Sequence, residues 1–330
     1  MNSALYDTAM RPTGAGRVSA RSIQIGLGLL WLLDGLLQLQ PKMFGPDFAN
    51  GVILPMVQGQ PTFVSGAMTH AAHLVSLQPA LADSLFAAVQ ILIGVGLLVR
   101  ETVKPALVLS FVWALGVWAL GEGFGMLLTG AASPLTGAPG AALLYIAIGI
   151  LVWPRAAGPA VSGPAAAEGP LGARGGKAIW AVVWSGMGIL WLLPANRAGG
   201  SIAGAMRASV AGEPGWLAHV QLSVSHAFGS GGGSVAVVCG LLSFVIGLGP
   251  LVSRHTTVFL VAGAALALDY WVFGEAFGGV FTGLATDPNT GPLLVLLALA
   301  VYPNRAWAAH RALVPGPSVG GIATPTGALA

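Results

Sequence analysis

Residues 118–125 read Trp-Ala-Leu-Gly-Glu-Gly-Phe-Gly, and residues 271–278 read Trp-Val-Phe-Gly-Glu-Ala-Phe-Gly. Each copy ends an apolar run and continues to a Thr-Gly pair, at 129–130 and 282–283, and then to Pro139 or Pro292. A carboxylate at the end of an apolar helix is costly in or near a membrane. Its double occurrence, as Glu122 and Glu275, indicates that the residue has a defined role.

Other pairs of residues are separated by the same interval as Glu122 and Glu275. They are Gly59 and Gly212, Pro61 and Pro214, His73 and His226, Ile93-Gly94 and Ile246-Gly247, and Trp118 and Trp271. Apolar composition alone does not explain matching His, Glu, Trp and Pro together. We therefore predict two tandem repeats of the same orientation, related by a pseudo-twofold axis along the membrane normal.

The composition is that of an integral membrane protein. Hydrophobic residues make up 55% of the 330 residues, charged residues make up 8%, and the mean hydropathy is +0.80. A soluble domain carries about 25% charged residues. The net charge of +3 indicates basic loops and not a nucleic-acid patch, so the expected partner is the lipid bilayer. The single Cys239 excludes an intramolecular disulfide and a Cys-based metal motif.

Eight apolar segments predict an all-α membrane protein with eight transmembrane helices, arranged as two parallel four-helix repeats. Stretches interrupted by proline follow the first and the fifth span and predict interfacial helices. The predicted spans are Ser22–Leu39, Ala80–Val99, Pro105–Leu120, Gly140–Trp153, Ala178–Leu193, Ser234–Val252, Thr256–Phe273 and Pro292–Tyr302. The glycines within these spans are expected to permit close helix packing.

The predicted organisation has five parts. Residues 1–21 form a cytoplasmic N-terminal segment, 22–153 the first four-span repeat, 154–177 a cytoplasmic linker, 178–304 the second repeat, and 305–330 a cytoplasmic tail. With a cytoplasmic N-terminus, every lysine and arginine except Lys42, Arg197 and Arg207 lies inside, which is the positive-inside pattern. This predicts a multi-pass protein of the inner (plasma) membrane with both termini in the cytoplasm. Four histidines and eight of the eleven acids then lie outside or at the outer ends of the spans; the acids are Asp34, Asp47, Asp83, Glu122, Glu213, Asp269, Glu275 and Asp287.

In each copy of the motif the Trp precedes the Glu by four residues, so both side chains share one helix face. Three interpretations of Glu122 and Glu275 stay open. The carboxylate binds a metal, a cation, a proton or a quinone headgroup; it meets water at a helix end whose Trp118 or Trp271 lies in the aromatic belt; or it accepts hydrogen bonds from the glycine-rich loop and holds the loop in place.

Histidines supply the second candidate site. His70 and His73 can share a helix face, and so can His219 and His226. Imidazoles together with a carboxylate suit a transition metal, or they relay protons. The candidate metal ligands are therefore His70, His73, Glu122, His219, His226 and Glu275. The alternative is a set of interfacial histidines hydrogen-bonded to backbone carbonyls.

Asp34 and Asp269 lie within predicted spans and are not repeated. Ionisable residues at such depth are candidates for a proton or ion path. Asp269 is predicted to lie deeper than Asp34, which comes near the end of its span. The turn Asp287-Pro288-Asn289 is predicted to cap the eighth span.

Each half resembles the four-span DoxX family. The resemblance rests on Gly26-Leu27-Gly28-Leu29-Leu30-Trp31 in the first span, on Ile93-Gly94-Val95-Gly96-Leu97-Leu98 in the second, and on the basic turn at Arg100. It implies a role associated with sulfur and quinone redox complexes. It also implies a carboxylate in the second span, where this chain carries Gln90 and, in the second half, Ser243.

Three classes of function follow. The first is an accessory or anchoring subunit of a membrane redox complex, with a metal or quinone site on its outer face. The second is a transporter or channel for a small solute or cation. The third is a structural membrane protein whose repeated residues hold loops.

Overall fold

The computed structural model describes residues 18–155, 163–229 and 231–303, and this part of the chain is helical without a strand. Turns, short 3-10 helices and longer loops join its α-helices, and the all-α prediction is confirmed. The helices are α1 (Ala20–Gln38), α2 (Pro46–Phe48), α3 (Thr62–Leu77), α4 (Pro79–Leu98), α5 (Val103–Leu120), α6 (Ala141–Leu151), α7 (Gly172–Trp191), α8 (Pro194–Arg197), α9 (Ser201–Ala208), α10 (Gly215–Phe228), α11 (Gly232–Val252), α12 (Thr256–Phe273) and α13 (Thr290–Val301).

Five helices in the described residues are long and apolar enough to cross a membrane. They are α1, α4, α5 with the turn before it from Arg100, α11 and α12. The helices α6 and α13 are apolar but shorter, with 11 and 12 residues. The helix α7 has 20 residues and carries Arg174 and Lys177 in its first turns. The chain is therefore a multi-pass membrane protein, while the number of eight spans stays a prediction.

The two shorter apolar helices, α6 and α13, occupy the centre of the bundle. They pack against each other, and both also contact α1 and α7. Leu144, Ile148, Leu293 and Leu297 are fully buried there. An α-helix of this length spans about 16–18 Å, well short of a bilayer core of about 30 Å. Because protein surrounds α6 and α13, their length need not match the membrane.

Glycines bring the first and second long helices of each half together. A Cβ on Gly94 of α4 would lie 2.8 Å from the carbonyl oxygen of Gly28 in α1. A Cβ on Gly188 of α7 would lie 3.0 Å from the carbonyl oxygen of Gly240 in α11. Two backbones approach this closely only where both lack side chains, so the predicted packing role of the span glycines is confirmed.

The predicted linker 154–177 is partly folded into the bundle. Ala165 and Ala166 are fully buried between α1 and α7, and the Glu168 carboxylate accepts a hydrogen bond from Ala20 N at 3.1 Å. The helix α7 begins at Gly172, six residues before the predicted fifth span. Residues 156–162 of the linker, and the predicted terminal segments at 1–17 and from 304 onward, lie outside the described residues.

Basic side chains cap helix ends at the end of the bundle where α1 begins. The Arg21 guanidinium donates to the carbonyls of Leu97 and Leu98, at the end of α4. The Lys177 ammonium donates to the Pro250 carbonyl at 2.7 Å, near the end of α11. Cations at helix C-termini are stabilised by unpaired carbonyls and by the helix dipole. Basic groups therefore gather at the end opposite to Glu122 and Glu275.

Candidate functional site

The repeated motif folds into a left-handed turn directly after α5 and after α12. Four successive residues have positive φ in each copy, namely Gly123, Phe124, Gly125 and Met126, and Ala276, Phe277, Gly278 and Gly279. This conformation costs a non-glycine residue about 1–2 kcal/mol. Glycine is needed at Gly125 and Gly278, because an added Cβ would lie 2.1 Å from the Pro139 carbonyl oxygen or 2.5 Å from the Pro288 carbonyl carbon.

The tryptophan of each motif stabilises this turn. The Trp118 indole donates to the Pro139 carbonyl at 2.9 Å, and the Phe124 ring meets it edge-on with centroids 5.1 Å apart. In the second copy Trp271 donates to the Pro288 carbonyl at 2.7 Å and meets Phe277 at 5.0 Å. The predicted counterpart of Pro139 was Pro292, but Pro288 makes the equivalent bond because the second loop is shorter. A structural role of both tryptophans follows.

The glutamate of each motif caps the N-terminus of a short central helix. Glu122 Oε1 accepts from Ala142 N of α6 at 3.0 Å. Glu275 Oε2 accepts from Thr290 N and Gly291 N of α13 at 3.2 and 3.4 Å, and its Oε1 accepts from the Thr290 hydroxyl. The first N–H groups of a helix lack intrahelical partners, and a carboxylate satisfies them. This geometry agrees with the third interpretation, a glutamate that holds the loop in place.

Burial raises the pKa of both glutamates to about 8, although backbone hydrogen bonds oppose this shift. Asp287 adds to the shift at Glu122 and at Glu275, because a nearby negative charge disfavours ionisation. The two sites differ in one respect. Both oxygens of Glu275 are bonded, whereas Glu122 Oε2 is buried without a partner. Ala141 begins α6 where Thr290 begins α13, so the first site lacks the hydroxyl.

Asp34 is a buried acid at the same end of the bundle. It lies in α1 and is 1% exposed. The Tyr145 hydroxyl of α6 donates to Asp34 Oδ2 at 2.6 Å, while Oδ1 is buried and has no hydrogen-bond partner among the described residues. The Trp31 ring packs on Tyr145 with centroids 4.3 Å apart, and its indole donates to Ser110 at 3.0 Å. The Asp34 carboxyl is therefore held rigidly with one free acceptor.

Asp287 is a further acid near the two capping glutamates. It lies in the loop before α13, and its negative charge contributes to the raised pKa of Glu122 and of Glu275. Burial raises its own pKa, against hydrogen bonds from the Thr286 hydroxyl and Asn289 N. Asn289 caps α13 by accepting from Thr290 N at 2.8 Å, which confirms the predicted capping turn. Asp34, Glu122, Glu275 and Asp287 are called the acidic cluster below.

The histidines lie apart from the acidic cluster. His70 and His73 are exposed on α3 beside a shallow groove, and His219 and His226 are exposed on α10. Within the described ranges, no group of three or more His, Cys, Asp or Glu residues is placed to hold a metal ion. The structure therefore does not bring together the six residues proposed as metal ligands.

The relative burial of Asp269 and Asp34 is the reverse of the sequence prediction. Asp269 is exposed on the surface of α12, and Asp34 is the buried residue. Two further residues with buried polar groups, Tyr145 and Gln38, were not among the predicted site residues. Asp83 lies near the end of its span, in the second turn of α4, and the structure adds that it is fully buried. The signal available was Tyr145 as the one polar side chain of α6.

A cavity of about 270 Å³ lies between the loop before α6 and the segment that runs from the end of α7 to α9. Its lining carries no charged residue and includes Ser133, Leu135, Trp191, Asn196 and Ser201. Leu135 also touches the motif, since a Cβ on Gly274 would lie 1.9 Å from its carbonyl oxygen. The backbone at Leu135 therefore lies between the cavity and the second copy of the motif.

Comparison with known protein families, with curated proteins and with solved structures finds no match to this chain. Its function is therefore inferred from its own residues.

Proposed function

We propose that this chain is a membrane transport protein of eight spans in two parallel halves, which passes protons through the acidic cluster with Asp34 as the central binding group. The observation that carries the proposal is the Asp34 carboxyl, 1% exposed within α1 and with Oδ1 unpartnered. Ionisable groups inside membrane spans are rare because of their cost, and they mark ion and proton paths.

A proton suits this site better than a metal ion. A buried acceptor without a donor costs about 1–3 kcal/mol, and more if it is charged. Protonation of Asp34 removes the charge and supplies a donor in the same step. The Tyr145 hydroxyl both donates and accepts, so it can hand a proton onward. Burial favours a retained proton on such a carboxyl, and a further negative charge adds to the effect: burial first, and then Asp287, raise the pKa of Glu122.

The charge distribution supports an orientation for this path. Arg21 and Lys177 lie at one end of the bundle, and the acidic cluster lies at the other. Under the positive-inside rule the basic end faces the cytoplasm. In this proposal the protein lies in the inner (plasma) membrane with cytoplasmic termini, and the acidic cluster opens toward the outer side.

Particular residues distinguish proton transport from the structural role and from the role of a redox-complex subunit. Loop anchoring accounts for Trp118, Glu122 and their second copies, but it leaves the free oxygen of Asp34 without a role. The accessory subunit of a DoxX-like redox complex, with quinone or metal on the outer face, stays a prediction. It is tested by co-purification with a larger complex.

Proton flux into liposomes tests the proposal. Purified protein is reconstituted with an internal pH-sensitive dye, and a potassium diffusion potential drives proton entry. Wild-type protein is expected to acidify the lumen. Asp34→Asn keeps the shape and the Tyr145 contact but cannot exchange a proton, so the rate should fall about 100-fold. Asp47→Asn is the matched control, because Asp47 is an exposed acid outside the spans. Wild-type flux equal to that of empty liposomes, or an Asp34→Asn rate equal to wild type, would overturn the proposal.

A further inference from the structure

A second buried polar pair lies between α1 and α4. Gln38 is 1% exposed at the end of α1, and Asp83 is fully buried in α4. The Gln38 amide nitrogen donates to Asp83 Oδ1. The other two oxygens of the pair, Gln38 Oε1 and Asp83 Oδ2, are buried without a partner among the described residues. The pair thus shows two orphan acceptors and no orphan donor.

A single proton between Gln38 Oε1 and Asp83 Oδ2 would give both unpartnered oxygens a hydrogen bond. A carboxylic acid and a carboxamide form a closed ring of two hydrogen bonds, in which N–H donates to one oxygen and O–H donates to the amide oxygen. The first of these bonds is present. A proton on Asp83 Oδ2 would donate to Gln38 Oε1 and complete the second. An ionised Asp83 would instead leave two buried acceptors unmet and a charge buried in a span.

We propose that Asp83 and Gln38 form a second proton-binding site, in which the Asp83 carboxyl carries a proton shared with the Gln38 carbonyl oxygen. The bond that forms is Oδ2–H, and the proton comes from water. Occupation of this site does not depend on transport. Its role as a station on a proton path rests on the proposed function.

The position of the pair links it to Asp34. Gln38 follows Asp34 by four residues on α1, so the two side chains lie on one helix face, about 6 Å apart along the axis. Asp34 and Asp83 therefore lie on two levels of one polar column within the first half. In the second half, the position of Asp83 in the repeat is taken by Ala236, which is fully buried.

Charged groups on the elements around α4 do not pair with Asp83. The Lys42 ammonium donates to the Thr282 carbonyl, Arg21 and the exposed Lys104 lie at the opposite end of α1 and α5, and His70 and His73 are exposed on α3. The bond from Gln38 is the one that the structure gives this carboxyl in the described residues. Neutralisation by a proton is thus the remaining way to relieve its charge.

Infrared difference spectroscopy on the full-length protein in detergent at neutral pH tests the site. The spectrum of wild type minus Asp83→Asn should show a protonated-carboxyl carbonyl band that shifts in D2O. Asn at this position can keep both hydrogen bonds to Gln38, so the variant is expected to fold. If it does not fold, Gln38→Met supplies the test, because loss of the ring should move the Asp83 band to higher frequency. The exposed Asp47→Asn serves as control and should remove only a carboxylate band.

A carboxylate band in the Asp83 difference spectrum, or an unmoved band in Gln38→Met, would overturn the inference. The two proposals fail separately. An intact Asp83 band in a protein without proton flux removes the proposed function and leaves the site. Flux that depends on Asp34, in a protein whose Asp83 is ionised, removes the site and leaves the function.

Discussion

The two halves of the molecule share the hydrogen bonds that hold their loops, and they differ in the interior of their spans. Around each motif the same tryptophan, glutamate and left-handed turn recur. Within the spans, the first half buries Asp34, Gln38 and Asp83, whereas the described helices of the second half bury no carboxylate. Residues that recur therefore maintain the fold, and residues that occur once are the better candidates for chemistry.

The interior of the second half is polar but neutral. Trp191 donates to the Tyr270 hydroxyl at 3.0 Å, much as Trp31 donates to Ser110. No acid accompanies the Trp191 pair as Asp34 accompanies Trp31 and Tyr145. The indole hydrogen bond of the buried tryptophan is thus accompanied by a carboxyl group in the first half and, within the described residues, by none in the second.

Alanine at Gly125 should have the largest effect on the shared part of this comparison. Its Cβ would lie 2.1 Å from a backbone oxygen in a left-handed residue, so Gly125→Ala should destabilise the fold by more than about 4 kcal/mol. Gly278→Ala should do the same if both turns are equally constrained. Gly116→Ala in α5 is the control, since a Cβ there meets nothing within 4 Å. Size-exclusion profiles and thermal unfolding in detergent measure the outcome, and a well-folded Gly125→Ala protein would contradict the assigned turn.

Removal of each capping carboxylate should show that the two caps contribute unequally to the free energy of unfolding. Glu275→Ala leaves the Gly291 N–H and the Thr290 hydroxyl without partners, while Thr290 N keeps its bond to Asn289, and should lower the free energy of unfolding by about 3 kcal/mol. Glu122→Ala removes the acceptor of the Ala142 N–H and also removes the buried Oε2 that has no partner in the described residues, so about 1 kcal/mol is expected. Denaturant or thermal unfolding orders the two variants. Equal losses would show that Thr290 adds nothing to the second cap.

The pH dependence of stability should follow the raised pKa values of the same two residues. The pKa of each rises from an ordinary value of 4.5 to about 8 on folding, so the folded protein holds more protons between these values. Stability should then be greatest at low pH and fall as pH rises toward 8. Glu275→Gln cannot ionise and should flatten this decline. A melting temperature that rises across the same interval in wild type would contradict the assigned shifts.

Phenylalanine in place of the interior tryptophans should have the smallest effect. Trp191→Phe and Trp31→Phe each remove one indole hydrogen bond and should cost about 1 kcal/mol. Only Trp31→Phe should also change proton flux, because Trp31 packs on the tyrosine that holds Asp34. Equal flux in both variants would show that Tyr145 does not depend on this support.

Several features of the candidate site were predictable because their signals are local. The Asp-Pro-Asn turn caps the helix that follows it, as its residue types predict. The Trp-to-Glu motif marks a helix end, although each glutamate lies two residues beyond the helix that carries its tryptophan. The choice between a metal ligand and a helix cap was not local. It depended on whether Glu122 meets a histidine or the N-terminus of α6, whose Ala142 lies 20 residues later.

The amino-acid sequence by itself showed that this protein belongs in a lipid bilayer, that it is helical, and that the Trp-Glu motif occurs twice. Composition and repeated spacing are properties of the chain alone. The tertiary structure alone decided which acids are buried. The helix α12 is apolar around its whole circumference apart from Asp269, so no periodicity shows which face meets protein and which meets the surroundings. Asp34 acquires its partner from a residue 111 positions away, and Asp83 from one 45 positions away. The glutamates of the repeated motif cap the N-termini of α6 and α13 and so hold these helices in the centre of the bundle. That placement brings Tyr145 to Asp34.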